Sequence, residues 1–352
     1  MRAKTFIILL VVLCLLAAAA YFSLSDRSEN GRGIVGEAPY ASLPVKDIET
    51  IAINSSEAVT HLIKKDSLWV VEEKFNFPAD FSQIMEMVSG LKTMKIGRSF
   101  EASEDAMTRL ALHPPNTSGD SENEGVQVVI KNKKGDALLD VVFGKTREMT
   151  FGAGGHYILA MPEGMVYLVD SKFDDVGKTP TDWIEKDILD VKAESIQSIT
   201  CFPIDEKVSV YTLRRPEKGM PPQLTDSPSS MLNPSKIDDV FTALSPLTIE
   251  DVAGYDEDPQ AADIAYAFAF EYQLFDGRRF RFVPGSGGKG EKQTFFIKIA
   301  DHHIPDAVKG DFPFSITQIL NKWVYRIPEW KFKRFIPDAQ ELIQKEGVSN
   351  GK

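Results

Sequence analysis

Cysteine is nearly missing from this chain: two residues in 352, Cys14 and Cys201. Cys14 lies inside an apolar run, so no intrachain disulfide is expected, and a zinc site built from cysteines is excluded. Histidine is almost as scarce. None of the five (His61, His113, His156, His302, His303) stands in a His-x-Glu or His-Glu-x-x-His spacing. There is no Gly-x-Ser-x-Gly elbow and no Gly-Lys-Ser/Thr phosphate loop. Cations are outnumbered, 40 Lys and Arg against 51 Asp and Glu, and a net charge of −11 is unsuited to wrapping nucleic acid. Beyond the first thirty residues no apolar run is long enough to span a bilayer. No catalytic residue, metal ligand set or cofactor site emerges, and a non-enzymatic role is expected. A hydrolase whose catalytic residues lie far apart in sequence stays open.

What is present is an ordinary globular composition, 43% hydrophobic and 26% charged, which excludes wholesale disorder. It follows an unusual start. Arg2 and Lys4 precede Phe6–Phe22, 17 apolar residues without a charge. As a helix these span about 25 Å, and Ser23 and Leu24 extend them toward the ~30 Å of a hydrocarbon core. Two readings compete. One is an uncleaved single-pass anchor over residues 1–25, lying in the inner membrane through residues 6–24. The other is a signal peptide, because Ala18-x-Ala20 offers small residues at a cleavage-like site. The run exceeds a usual signal core of about 7–15 residues, which favours the anchor. Either way the body lies outside the cytoplasm. Residues 26–44, rich in small and mixed-charge residues, read as a flexible tether.

The body is written twice. Ile48, Ile51 and Ile53 recur as Ile196, Ile199 and Cys201, at a constant offset of 148 in alternating, strand-like segments. Ile84, Met87, Val88 and Leu91 recur as Ile237, Val240, Phe241 and Leu244, each set an i, i+3, i+4, i+7 amphipathic helix. Pro78 with Asp80, and Pro234 with Ser235, supply the start signals. Hairpins follow, Val126–Lys131 with Ala137–Phe143, then Phe268–Leu274 with Arg279–Val283, each around a glycine turn. Finally Asp182-Trp183 matches Glu329-Trp330. The expected architecture is α+β: a transmembrane helix, then two tandem duplicated antiparallel-sheet-plus-helix units, residues 45–191 and 192–338, then a polar tail, residues 339–352. The polar stretch His113–Gly125 and the proline-rich stretch Pro216–Pro234 are expected to be surface loops.

The layout resembles the domain of unknown function 4340 family. The residues that carry the likeness are the N-terminal apolar run, Asp47-Ile-Glu-Thr-Ile51, Leu68-Trp-Val-Val71, Leu112-His-Pro-Pro115, Val142-Phe-Gly-Lys-Thr146 and Val166-Tyr-Leu-Val-Asp170. The resemblance covers most of residues 1–190. The polar stretch after Pro115 and Arg281-Phe-Val-Pro-Gly285, which replaces the Phe-Gly-Lys-Thr pattern, depart from it. It implies an extracytoplasmic accessory protein beside membrane-transport components, ABC-type and linked to gliding motility. That is a protein partner, a transporter subunit, and not a reaction.

The remaining chemical candidates are weighed against plainer roles. Gly285-Ser-Gly-Gly-Lys-Gly290 spells a dinucleotide fingerprint, but an alternating segment follows it where a helix is required, so it reads as a hairpin loop. Phe151–His156 is a second glycine-rich loop between strands. His302 and His303 are adjacent on a strand and point to opposite faces. Trp69, Trp183, Trp323 and Trp330 read mainly as core anchors. The stretch around Lys322–Arg334 interleaves aromatics with cations. It gives the candidate partner or ligand surface: Trp323, Tyr325, Arg326, Trp330, Lys333 and Arg334. The alternative function is a periplasmic module binding a glycan, peptide or lipid in a groove between the two copies.

Overall fold

The computed structural model describes residues 35–66, 68–116, 120–148, 154–256, 258–259, 264–305 and 320–344. The expected anchor lies outside them. Among the described residues no helix is long and apolar enough to cross a membrane.

Along the chain, β1 (Ile48–Asn54), β2 (Val59–Lys65), β3 (Leu68–Val71) and β4 (Phe77–Pro78) precede helix α1 (Phe81–Thr93). Next come β5 (Ile96–Glu101), α2 (Glu104–Leu110), β6 (Val126–Asn132), β7 (Ala137–Arg147), β8 (Gly155–Ala160) and β9 (Met165–Val169). The second half holds β10 (Asp187–Leu189), β11 (Ile196–Pro203), β12 (Tyr211–Arg214), β13 (Gln223–Leu224) and α3 (Pro234–Thr242). Then follow β14 (Leu247–Thr248), β15 (Asp251–Tyr255), β16 (Asp258–Pro259), β17 (Ala265–Tyr266), β18 (Phe268–Leu274), β19 (Arg279–Gly287) and β20 (Thr294–His303). β21 (Trp323–Ile327) and the one-turn helix α4 (Glu329–Phe332) end the series. Antiparallel sheet with few helices is the α+β class read from the sequence.

The chain divides into two compact units. One holds residues up to Lys65 with Phe81–Trp183; the other holds Asp66–Asp80 with Ile184 onward. The units are therefore discontinuous, where the sequence suggested contiguous repeats meeting at residue 191. In the first unit the strands pair in the order β2-β1-β6-β7-β8-β9-β5, all antiparallel. In the second the order is β12-β11-β18-β19-β20-β21-β15, again antiparallel, with β13 beyond β12 and β16 beyond β15.

In the first unit α1 buries Ile84, Met87, Val88 and Leu91, the four positions its spacing selected. The Phe-Gly-Lys-Thr stretch is a packing device. A Cβ on Gly144 would come within 2.4 Å of the Leu110 carbonyl oxygen, so only glycine lets β7 approach that backbone. Part of the expected tether is ordered here. Gly36 N donates to Ile96 O, Ile96 N donates to Glu37 O, and Leu43 is buried. Its backbone pairs with β5, and its leucine has apolar surface to bury.

In the second unit α3 is capped two residues earlier than the Ser235 read from the sequence. Asn233 accepts from the N–H groups of Ser235 and Lys236, and Pro234 takes the first helical position, where its missing N–H costs nothing. The core is aromatic: Tyr272 meets Phe282 edge-on and Phe335 lies against Phe270. Tyr211 Oη donates to Ile336 O at 2.6 Å, and Tyr272 Oη to Val240 O at 3.1 Å. The tail is also partly structural. Leu342 is buried, its carbonyl accepts from Asn233 N, and Gln344 N donates to Met231 O, so its backbone is paired through Gln344.

Candidate functional site

The predicted surface splits in two. Trp323 and Tyr325 are buried, a correction to their reading as surface residues. Strand β21 runs between β20 and β15, so four of its five residues face into packed layers. Trp323 Nε1 donates to Phe75 O at 3.1 Å, and Tyr325 Oη to Leu320 O at 2.5 Å. Arg326 is half-buried and lies 3.4 Å from Glu250. Trp330, by contrast, is 56% exposed, which corrects its reading as a core anchor. Lys333 is exposed and pairs with Glu329 one turn back, at 2.6 Å. Arg334 donates to Thr242 O at 3.2 Å and to Thr242 Oγ1 at 2.6 Å. The buried cation of this stretch is Lys331, whose Nζ donates to Ala243 O at 3.2 Å and Pro246 O at 2.7 Å. Interleaved cations and aromatics gave no sign of which ring faces outward; alternation along β21 was the available signal for Trp323 and Tyr325.

In the first unit the missed residue is His156. It is buried on β8, and each ring nitrogen has a fixed partner: Nε2 donates to Gly144 O at 2.9 Å and Nδ1 accepts from Phe173 N at 3.2 Å. Phe143 stacks on Phe173 with centroids 4.6 Å apart, and Thr146 Oγ1 donates to Asp174. The imidazole is a neutral cross-brace with no free nitrogen for acid–base work. Burial holds its pKa below the usual 6.5, against the opposing pull of Asp174. A depressed folded-state pKa means that the unfolded chain takes up the proton first. The contribution is complete above about pH 6.5 and is lost as pH falls toward the folded value. Denaturation of the wild type from pH 7.5 to 5 should show this loss, and His156→Gln should show a shallower one; equal slopes would refute the assignment.

Beside this brace lies a half-open pocket of about 180 Å³, lined by Glu86, Met87 and Gly90 of α1, by Phe173 and Val176 of the loop after β9, and by Trp183. Trp183 is fully buried, and its Nε1 donates to Gly177 O at 3.0 Å. Other sequence candidates are plain. The Gly285–Gly290 stretch runs from the end of β19 toward β20, and the single 3-10 turn Gly290–Lys292 before β20 is no α-helix to receive a pyrophosphate. Residues 151–153 of the other glycine loop and Asp306 beside the histidine pair lie outside the described residues. Cys201 is buried, and burial pushes its thiol up to about 12, far from a reactive thiolate.

The family model for a domain of unknown function (DUF4340) matches residues 69–266. No curated protein matches the chain, and no solved structure does.

Proposed function

The chain belongs to the family of this domain of unknown function (DUF4340), and on that premise we propose a non-enzymatic accessory protein. In this reading residues 6–24 hold it in the inner membrane, and its extracytoplasmic body binds a protein partner. The observation that carries the reading is the charge-free run Phe6–Phe22 at the head of a long sheet-built chain. Anchoring confines the body near the bilayer, and the raised effective concentration strengthens even a weak contact. A transport component of ABC type, of the gliding-associated kind the family resemblance implies, is the proposed partner. The body itself is proposed to descend from a tandem duplication, residues 45–191 and 192–338. The same order of seven strands in the two units supports this.

Deleting residues 1–25 should leave the melting temperature of the body within about 2 °C and abolish co-purification of the transporter subunit from membranes. Equal recovery of that subunit by the truncated chain would refute the reading.

A second reading, a periplasmic module for a glycan, peptide or lipid, is favoured by the pocket beside Trp183. A thermal-shift screen of periplasmic ligands tests it. A hit abolished by Gly90→Leu supports it; no hit across the three classes removes it.

A further inference from the structure

Each unit carries a matched tryptophan beyond an equivalent strand of its sheet: Trp183 after β9, Trp330 after β21. Their surroundings are opposite. Trp183 follows Val169 by fourteen residues, and the intervening loop covers the ring. Gly177 O accepts from its indole N–H at 3.0 Å. The Gly177 backbone is so close that an added Cβ would lie 2.9 Å from that nitrogen. Phe173 and Val176, both buried, line the same pocket as the indole. The loop carries Asp170, Asp174 and Asp175 against Lys172 and Lys178, with its two adjacent carboxylates at the centre.

Trp330 follows Ile327 by only three residues, and no such loop exists. The ring is 56% exposed, and its N–H has no hydrogen-bond partner among the described residues. Lys331 Nζ stands 4.7 Å and the Arg334 guanidinium 5.3 Å from the ring centroid. Arg334 is fastened to the Thr242 carbonyl at the end of α3 and Lys331 to Ala243 O and Pro246 O just beyond it, so these cations are held in place. Lys333 is 68% exposed, and its i,i+4 pair with Glu329 is a weak surface pair. Glu329–Arg334 thus has three cations and one carboxylate in a chain of net charge −11.

We infer that the Trp330 face is a docking site for an extended acidic segment of a partner protein. The segment supplies the two things Phe173–Gly177 supplies in the first unit, an apolar side chain by the indole and a backbone carbonyl for Nε1, and adds carboxylates for Lys333 and Arg334. A single exposed aromatic offers too little apolar area to hold the body on a lipid surface, whereas a ring with an unpaired N–H among fixed cations matches a peptide. The inference rests on the accessory-protein reading and names the surface it uses.

The chain itself provides the probe. A fluorescein-labelled peptide of residues 170–179, Asp-Ser-Lys-Phe-Asp-Asp-Val-Gly-Lys-Thr, is titrated with the full chain in detergent and followed by anisotropy. Saturable binding is expected. It should weaken at least roughly fivefold in Trp330→Ala and in Lys333→Glu, and equally when the peptide's two central aspartates become asparagine. Both protein variants alter exposed side chains, so their melting temperatures should match the wild type, and a fall would show in the same preparation. No saturation up to about 1 mM, or equal affinity in Trp330→Ala, overturns the proposal. So does a fluorescence response lost in Trp330→Ala that anionic phosphatidylglycerol vesicles produce and the peptide does not. Failure here leaves the co-purification test of the anchored chain untouched, so the two readings fall separately.

Discussion

Trp323→Ala will lower the stability of the second unit by about 3–5 kcal/mol, the range for deleting a large buried aromatic. The ring is buried, meets Phe77 edge-on at 5.0 Å and lies parallel to Tyr255 at 6.4 Å. Its N–H is the partner of the Phe75 carbonyl. Truncation therefore opens a cavity, removes an aromatic pair of about 0.5–1.5 kcal/mol and leaves a carbonyl without its donor. The consequence is local as well as global. Phe75 and Phe77 belong to Asp66–Asp80, which joins this unit across more than a hundred residues of chain. Besides Trp323 that segment is held by the Lys74–Asp251 ion pair at 2.8 Å and by Phe77 against Tyr325. Amide exchange at Val70, Val71 and Phe77 should speed up in Trp323→Ala well beyond exchange in β18 and β19. Trp323→Phe keeps an aromatic ring but loses the hydrogen bond and part of the ring volume, so it should cost about 1–3 kcal/mol, less than the alanine variant. A loss below that in the alanine variant, or unchanged exchange at Val70–Phe77, would contradict the account.

The strands and main helices were legible because they depend on local periodicity. Ile84, Met87, Val88 and Leu91 are buried as their spacing requires, and the two hairpins begin at the residues their glycine turns implied. The sequence is weaker where the outcome is set by what lies across the fold. Trp323 and Trp330 stand in similar company of lysine and arginine, yet one is buried between neighbouring strands and the other is open. The strand that buries one and the covering loop that the other lacks are features of other parts of the chain. Asp66–Asp80 reads as ordinary repeat sequence, and its place in the second unit rests on aromatic contacts with residues near 255 and 323. His156 looked like one more lone histidine because its partners are backbone groups of Gly144 and Phe173, which carry no sequence signature. Position in the chain did hold one unused signal. The connection to Trp183 is eleven residues longer than the connection to Trp330, and that difference separates the covered ring from the open one.

Lys331→Met will destabilise the second unit by an amount that grows with pH. The ammonium is buried and donates to Ala243 O and Pro246 O, just beyond the end of α3, while Arg334 serves Thr242 O. A helix leaves its last carbonyl groups without internal partners and is negative at that end, so two cations there satisfy both needs. Methionine is close in volume and leaves little cavity, but it has no donor. A buried carbonyl at Ala243 and a partly buried one at Pro246 losing their partner should cost about 1–3 kcal/mol at pH 7. Burial, reinforced by the Arg334 charge, pushes Lys331 down to about 8 from 10.5. A lowered folded-state pKa makes the unfolded chain the stronger proton binder between those values. Wild-type stability should therefore rise as pH climbs from about 8 to 10.5, by at most about 3 kcal/mol. The neutral amine still carries two N–H groups for its two carbonyl partners, so deprotonation relieves desolvation and repulsion without breaking the cap. The methionine variant has no such group and should lack this gain. Other lysines and tyrosines titrate alike in both proteins, so the difference between their denaturation midpoints, measured from pH 7 to 10.5, isolates residue 331. A difference that stays constant across that window would mean that Lys331 is not held in the depressed, buried state its two carbonyl bonds describe.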